Sequence, residues 1–364
     1  MGKANSAVAR FIFEDLIDVR GENGTMLGLI KFILLGQLKR PKLAGKNSGF
    51  TLIEVLVAMI LAVIVLVPLM GFAINMVDSD RKEQAKSTSD QEIQSALNYI
   101  AQDLQQAVYI YDGAGITAIK SQLPHATNTS QVPVLVFWKR DIQPNVIPIG
   151  SGTKCSSTPS KCDDAFVYSL VVYYLMDNGS TQNVWSKNAY SIGRVQINGS
   201  LTDAAGKDLV KASPGYKIFS LDGLGTLSDK MNKWQKSTDT NIDTNPTARL
   251  IDYVDKTTAG VPELTDCTKL FLPDSDPIVA ATYTQQKLQT PSYTGTDAVD
   301  AKFQTRSFYA CVDSNRNTAR VFIRGNALVR FRDSPASKYN PNAAAYFPIA
   351  SVQVQGRGAL ANNQ

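Results

Sequence analysis

The chain has 364 residues, 44% of them apolar and 19% charged, a composition that excludes a disordered tail and leaves room for one large domain or two small ones. Its formal charge of +5 is concentrated at the front: of 37 Lys/Arg and 32 Asp/Glu in all, residues 1–49 carry eight and four, so 29 and 28 remain after Gly49. That nearly neutral remainder excludes a nucleic-acid partner.

In chain order, residues 1–49 form a basic leader ending in Lys39, Arg40, Lys42 and Lys46, and containing the short apolar piece MLGLIKFILLGQL. A start at Met26 would shorten this leader. An apolar run follows, with no polar residue from Val55 to Val67. The stretch from Val55 to Ile74 is about 20 residues, roughly 30 Å of helix, which is the thickness of a hydrocarbon core. Basic residues precede it and Asp78 and Asp80 follow it, so the positive-inside rule places the N-terminus in the cytoplasm and exports the rest. No A-x-A-like cleavage site closes the run; VPLMGFAINMV follows, and the segment is expected to be retained. Glu54 stands directly before the apolar run. An ionisable group within a membrane costs roughly 2.5–3.5 kcal/mol and by default signals a functional partner.

The helical pattern continues past the membrane segment. Ile93, Leu97, Ile100, Leu104 and Val108 recur at spacings of three and four, an amphipathic stripe that Asp112-Gly113 and Gly115 are expected to stop. A long helix is therefore predicted in two parts, a transmembrane half over 50–77 and an amphipathic half over 78–112. Within the first, Pro68 cannot donate to the helical ladder and crowds the carbonyl of Ile64, while Gly71 adds looseness.

From 113 to 364 the texture becomes short runs rich in β-branched and aromatic residues. They lie at 132–140, 165–176, 189–197, 215–221, 306–314, 318–331 and 350–356. These read as an antiparallel sheet packed on the long helix, giving an α+β fold with an exported β-rich head. Residues 222–300, rich in Asp, Thr, Asn and Pro, read as a loop-rich insertion. No internal repeat is found.

All four cysteines, Cys155, Cys162, Cys267 and Cys311, follow the membrane segment, and an even count in an exported domain favours disulfides. Of three pairings, Cys155 with Cys162 and Cys267 with Cys311 keeps both bridges local, with roughly 2.5 and 4 kcal/mol expected from chain entropy. A zinc site is the rival, but the spacing of Cys155 and Cys162 fits no common zinc pattern. Catalytic constellations are thin. His125 is the single histidine and lies in a polar loop, so no catalytic residue and no cofactor is assigned. Asp239, Asn241 and Asp243 alternate oxygen ligands as a calcium loop does. Thr244, however, stands where the turn glycine belongs and Leu250 where the bidentate glutamate belongs, so a solvated loop is the alternative. Asn128, Asn178 and Asn198 head N-x-S sequons.

The stretch GFTLIEVLVA at Gly49–Ala58, followed by its apolar run, resembles the type III signal of type IV pilins and of the pseudopilins of type II secretion. The resemblance implies a cut after Gly49 by a prepilin peptidase and N-methylation of the new N-terminus, Phe50. It also implies pairing of Glu54 with such an amine as subunits pack into a filament. The partners implied are the prepilin peptidase, other pilin-like or pseudopilin subunits and an inner-membrane assembly platform; the protein implied is a non-enzymatic single-pass membrane subunit with its head in the periplasm. In that family a helix-breaking site near Pro68 is linked to melting during assembly, and Pro68 is either that site or a simple kink. Some pseudopilins bind calcium in a C-terminal loop, which keeps the Asp239–Asp243 reading open. The size of the part after Gly49 is that of a minor subunit. NYIAQDLQQAV followed by PVLVFWKR resembles the J-type minor pseudopilins of type II secretion, whereas the large head and RVFIRGNALVRF resemble the hormogonium polysaccharide secretion pseudopilin of filamentous cyanobacteria. The latter implies export of a polysaccharide for surface gliding. The leader is longer than is usual in the family. A membrane-tethered, lectin-like binding domain would share this topology, but an anchor needs neither Gly49 nor Glu54.

Overall fold

The structure, a computed structural model, describes residues 50–149, 155, 162–179, 184–272, 283–293, 298–358 and 360. It divides into two units, Met1–Met70 and Gly71–Gln364. Helix α1 (Leu52–Gln105) begins in the first and ends in the second. The described part of the first unit is the apolar start of α1, and every one of its residues is exposed.

In the second unit, Ala85, Ser89, Ile93, Leu97, Ile100 and Leu104 are buried at the three- and four-residue spacing that puts side chains on one helical face. That face meets two antiparallel sheets. The first has the order β1 (Ala107–Ile110), β2 (Gln131–Pro148), β3 (Cys162–Asp177), β4 (Tyr190–Ile197) and β7 (Ala248–Val254). The second has the order β11 (Ile349–Gln355), β10 (Thr318–Arg324), β9 (Phe308–Asp313) and β8 (Gln289–Thr290), and a small third pairs β5 (Leu201–Thr202) with β6 (Asp208–Val210). Alternate residues supply the common core beneath α1: Leu135 and Phe137 from β2, Val171 and Tyr173 from β3, Ala310 and Val312 from β9, Val321 and Ile323 from β10. The expected α+β fold, a long helix on an antiparallel head, is what the chain adopts.

The first sheet is also covered on its other face. Val136 and Trp138 of β2 with Val172 and Tyr174 of β3 pack against Ile116 and Ile119 of helix α2 (Gly113–Ile119), Met231 of helix α3 (Leu227–Met231) and Trp234. Burial on both faces explains why VPVLVFW reads as an unbroken apolar run rather than an alternating one. Pro133, which cannot donate to a ladder, sits where the β2–β3 register slips.

Several boundaries differ from expectation. Helix α1 stops at Gln105 rather than 112, because Ala107–Ile110 pairs with Phe137–Lys139 and Val108 joins the second core cluster. β-branched and aromatic residues suit that sheet edge better than another helical turn. Asp112 does mark a boundary, as the N-cap of α2 through the N–H of Gly115. The stretch at 215–221 is not a strand. Gly215 there has a φ of 74°, and a Cβ on it would lie 2.4 Å from Ile242, so the chain turns and drops Phe219 against Trp138, ring centroids 5.1 Å apart. The run at 318–331 divides: β10 ends at Arg324, and Asn326 caps the short helix α6 (Ala327–Phe331) through the N–H of Val329. Residues 222–300 are more than loops, since they supply β7 as well as α3, α4 (Cys267–Phe271) and α5 (Gln285–Leu288).

Candidate functional site

The first turn of α1 carries the features on which the sequence reading turns. The Thr51 carbonyl accepts the N–H groups of Glu54 at 3.0 Å and Val55 at 3.3 Å, so the helix begins at the residue after Thr51. Glu54 lies in this first turn, where a carboxylate complements the unsatisfied N–H groups and the positive end of the helix dipole. No side chain among the described residues bonds its carboxylate. Phe50 is 80% exposed, and exposure continues without interruption through Val77. Among the described residues α1 is one helix long and apolar enough to cross a membrane. Gly49 lies outside the described residues.

The helix runs through Pro68, which contributes no N–H to it. A Cβ on Gly71 would meet nothing within 4 Å, so no packing inside the chain requires glycine there.

The remaining sequence candidates fall in the second unit. Cys155 is bridged to Cys162 and Cys267 to Cys311, with Cα–Cα separations of 5.8 and 5.4 Å. The second bridge ties the start of α4 to β9. The proposed calcium ligands are engaged within the chain: Asp239 accepts from the Ser237 hydroxyl at 2.9 Å, Asn241 from the Asp243 N–H at 3.0 Å, and Asp243 from the distant His125 N–H at 2.5 Å. Among the described residues no group of three or more His, Cys, Asp or Glu could hold a metal ion.

Sequence reasoning missed the ionic cluster at the end of α1. Asp103 is 7% exposed, in a last helical turn where a negative charge opposes the dipole. Lys139 Nζ reaches its Oδ1 at 3.1 Å; Arg194 Nε and the Tyr173 hydroxyl each reach its Oδ2 at 2.7 Å. Burial pushes the Asp103 carboxyl up, but the hydrogen bond and charge of Arg194, then Lys139 and Tyr173, outweigh it and hold it below the usual carboxylate range. The helix is thereby fastened to β2, β3 and β4 at once. A second buried pair, Arg324 Nε to Asp255 Oδ2 at 3.0 Å, joins β10 to the residue that follows β7. There burial dominates and raises the Asp255 carboxyl despite Arg324 and Thr257. The one sequence signal was a pair of cations, Lys139-Arg140, ending an otherwise apolar run.

Residues 45–70 match the prokaryotic N-terminal methylation motif. The match takes in Gly49, Phe50, Glu54 and Pro68, and supports a type IV pilin-like or pseudopilin family processed by a prepilin peptidase. No curated protein and no solved structure matches the chain.

Proposed function

We propose that this chain is a non-enzymatic minor pilin-like or pseudopilin subunit. Prepilin peptidase cleaves it after Gly49, Phe50 becomes the N-methylated terminus, and Glu54 pairs with the terminal amine of a neighbouring subunit during assembly. The observation that carries the reading is the coincidence of the methylation motif at 45–70 with an acid in the first turn of an uncovered apolar helix. Removing one partner from a buried ion pair costs about 3–5 kcal/mol, so the pair would penalise subunits assembled out of register. The chain spans the inner membrane once, N-terminus in the cytoplasm and head in the periplasm, working with a prepilin peptidase, related subunits and an assembly platform. Its large head suits a minor position in a structure that supports secretion, and the cargo we assign is a polysaccharide exported for surface motility.

The test is Glu54→Ala. Removing the acid eases membrane entry by about 2–3 kcal/mol, so insertion and cleavage should persist while assembly and export fail. Cell fractionation with N-terminal sequencing, alongside an assay of surface filaments and exported polysaccharide, reads both. Wild-type export by the variant would leave the membrane-tethered binding domain as the better account, and an uncleaved wild-type protein would remove the pilin-like reading itself.

A further inference from the structure

An open groove of about 740 Å³ lies in the second unit, between one face of α1 and strand β7. Thr88, Gln91, Ser95 and Tyr99 line the helical side; Leu250–Tyr253 and the loop residues Val184 and Trp185 line the other. Three aromatic residues line it, and each ring carries an arginine: Arg194 at 5.7 Å from the centroid of Tyr99, Arg249 at 5.0 Å from Trp185, and Arg330, itself a lining residue, at 4.2 Å from Tyr253. A guanidinium against one side of a ring holds it in place and leaves the rest of the ring available.

The groove is built at some conformational expense. Tyr253 has a φ of 60°, in the left-handed region that a bulky residue rarely enters, and the register between β4 and β7 slips at Tyr190–Gly193. Its carbonyl accepts the N–H of Asn326 at 2.8 Å, which fixes the turned backbone. Such strain persists only where the surroundings impose it, and it clusters at binding sites. The Trp185 loop is likewise fastened: Asp252 accepts the Ser186 N–H at 3.0 Å and an Asn178 amide N–H at 3.1 Å.

Polar groups stand ready between the rings. The side chains of Thr88, Gln91 and Ser95 form no hydrogen bond among the described residues, and the buried Nε of Arg330 has no partner. Charges cancel: Glu92 pairs with Arg330, Asp103 with Arg194, and Asp252 lies close enough to Arg249 to act on it. We propose that this groove binds an extended neutral glycan, its sugar rings stacked on Trp185, Tyr99 and Tyr253 and its hydroxyls bonded by the helix side chains and Arg330. A partner helix would demand a continuous apolar stripe, which the polar helical wall does not offer. A polyanionic chain would demand a surplus of cations. The inference rests on the exported-head reading but not on Glu54 or assembly, because the groove belongs to the second unit alone.

Full-length protein in a detergent without a sugar headgroup is titrated with neutral linear gluco-, manno- and galacto-oligosaccharides, and separately with anionic oligogalacturonate, while tryptophan fluorescence is followed. Trp138 and Trp234 are buried, 0% and 5% exposed, so a change reports on Trp185. At least one neutral series should give a saturable change, weakened about tenfold or more, some 1.4 kcal/mol, by Tyr99→Ala. Tyr99 is 44% exposed, so its removal leaves the core intact, and an unchanged unfolding midpoint checks this. No saturable response to any neutral series, a response only to oligogalacturonate, a response unaltered by Tyr99→Ala, or a fluorescence change that follows protein concentration without sugar would each overturn the proposal. The last would mean that a second copy fills the groove. Failure here leaves cleavage at Gly49 and assembly through Glu54 untouched, and failure of those leaves binding measurable on the uncleaved chain.

Discussion

At the scale of single residues, two acids on one helix stand in opposite settings. Glu54 is exposed in the first turn and no side chain among the described residues bonds it, the setting in which the proposed pairing with another subunit would act. Asp103, in the last turn, is enclosed by three donors from three strands. Replacing Asp103 with Asn removes the charge that Arg194 and Lys139 face and is expected to cost about 3–5 kcal/mol. Lys139 keeps Asp141 at 2.8 Å, whereas Arg194 has no second carboxylate within ion-pair distance among the described residues, so the loss should fall mainly on the Arg194 side. Tyr173→Phe leaves the ion pairs in place but removes a hydrogen bond to a charged carboxylate, and should cost about 1.5–3 kcal/mol. Denaturant midpoints of full-length protein in detergent give both values, and equal effects would show that the hydroxyl and not the charges fastens the helix. Nothing in the sequence said that Lys139 and Arg194, 36 and 91 residues away, would meet Asp103.

Among the elements, the long helix and its covering sheets follow from periodicity. Ile100 is 0% exposed at the middle of the buried stripe, and Ile100→Ala should destabilise by about 2–5 kcal/mol through lost transfer energy and the cavity left behind. The two bridges should differ as well. Cys267 and Cys311 are separated by 44 residues and Cys155 and Cys162 by 7, and closing the longer loop constrains the unfolded chain more. Cys311→Ser should therefore cost about 4 kcal/mol against about 2.5 for Cys155→Ser, read by thermal or urea unfolding. Equal losses would mean that the bridges act through the folded state instead. Element ends were less legible. The end of α1 is set by Ala107–Ile110 finding a partner in β2, and the run at 215–221 is denied a strand by the tight approach of Gly215 to Ile242.

For the whole molecule, pH dependence combines groups of opposite sign. Asp103 is held below the ordinary carboxylate value of 3.8, so its contribution is present above that value and is lost as pH falls through its depressed folded value. Asp255 and Asp112 are raised by burial, so each opposes folding once pH rises above 3.8 towards its folded value, and relieves that opposition on acidification. Acid destabilisation below 3.8 should thus be shallower in Asp103→Asn than in the parent, and an unchanged slope would mean that other carboxylates drive it. The apolar surface from Phe50 to Val77 far exceeds what a monomer exposes to water, so lipid or neighbouring subunits must cover it, and the full chain should stay in the membrane pellet after alkaline carbonate extraction. What the sequence by itself determined is whatever local order can encode: the cleavage-and-methylation signal, the apolar span, the buried stripe of α1 and most strands, because spacing and composition act over a few residues. The tertiary structure alone decided where α1 stops, that β7 in the loop-rich region is an edge of the main sheet, that Asp103 is enclosed by cations, and that Tyr99, Trp185 and Tyr253 share a groove. Each of those depends on which distant segments meet, and the free energy of such a meeting belongs to pairs of residues that no single stretch contains.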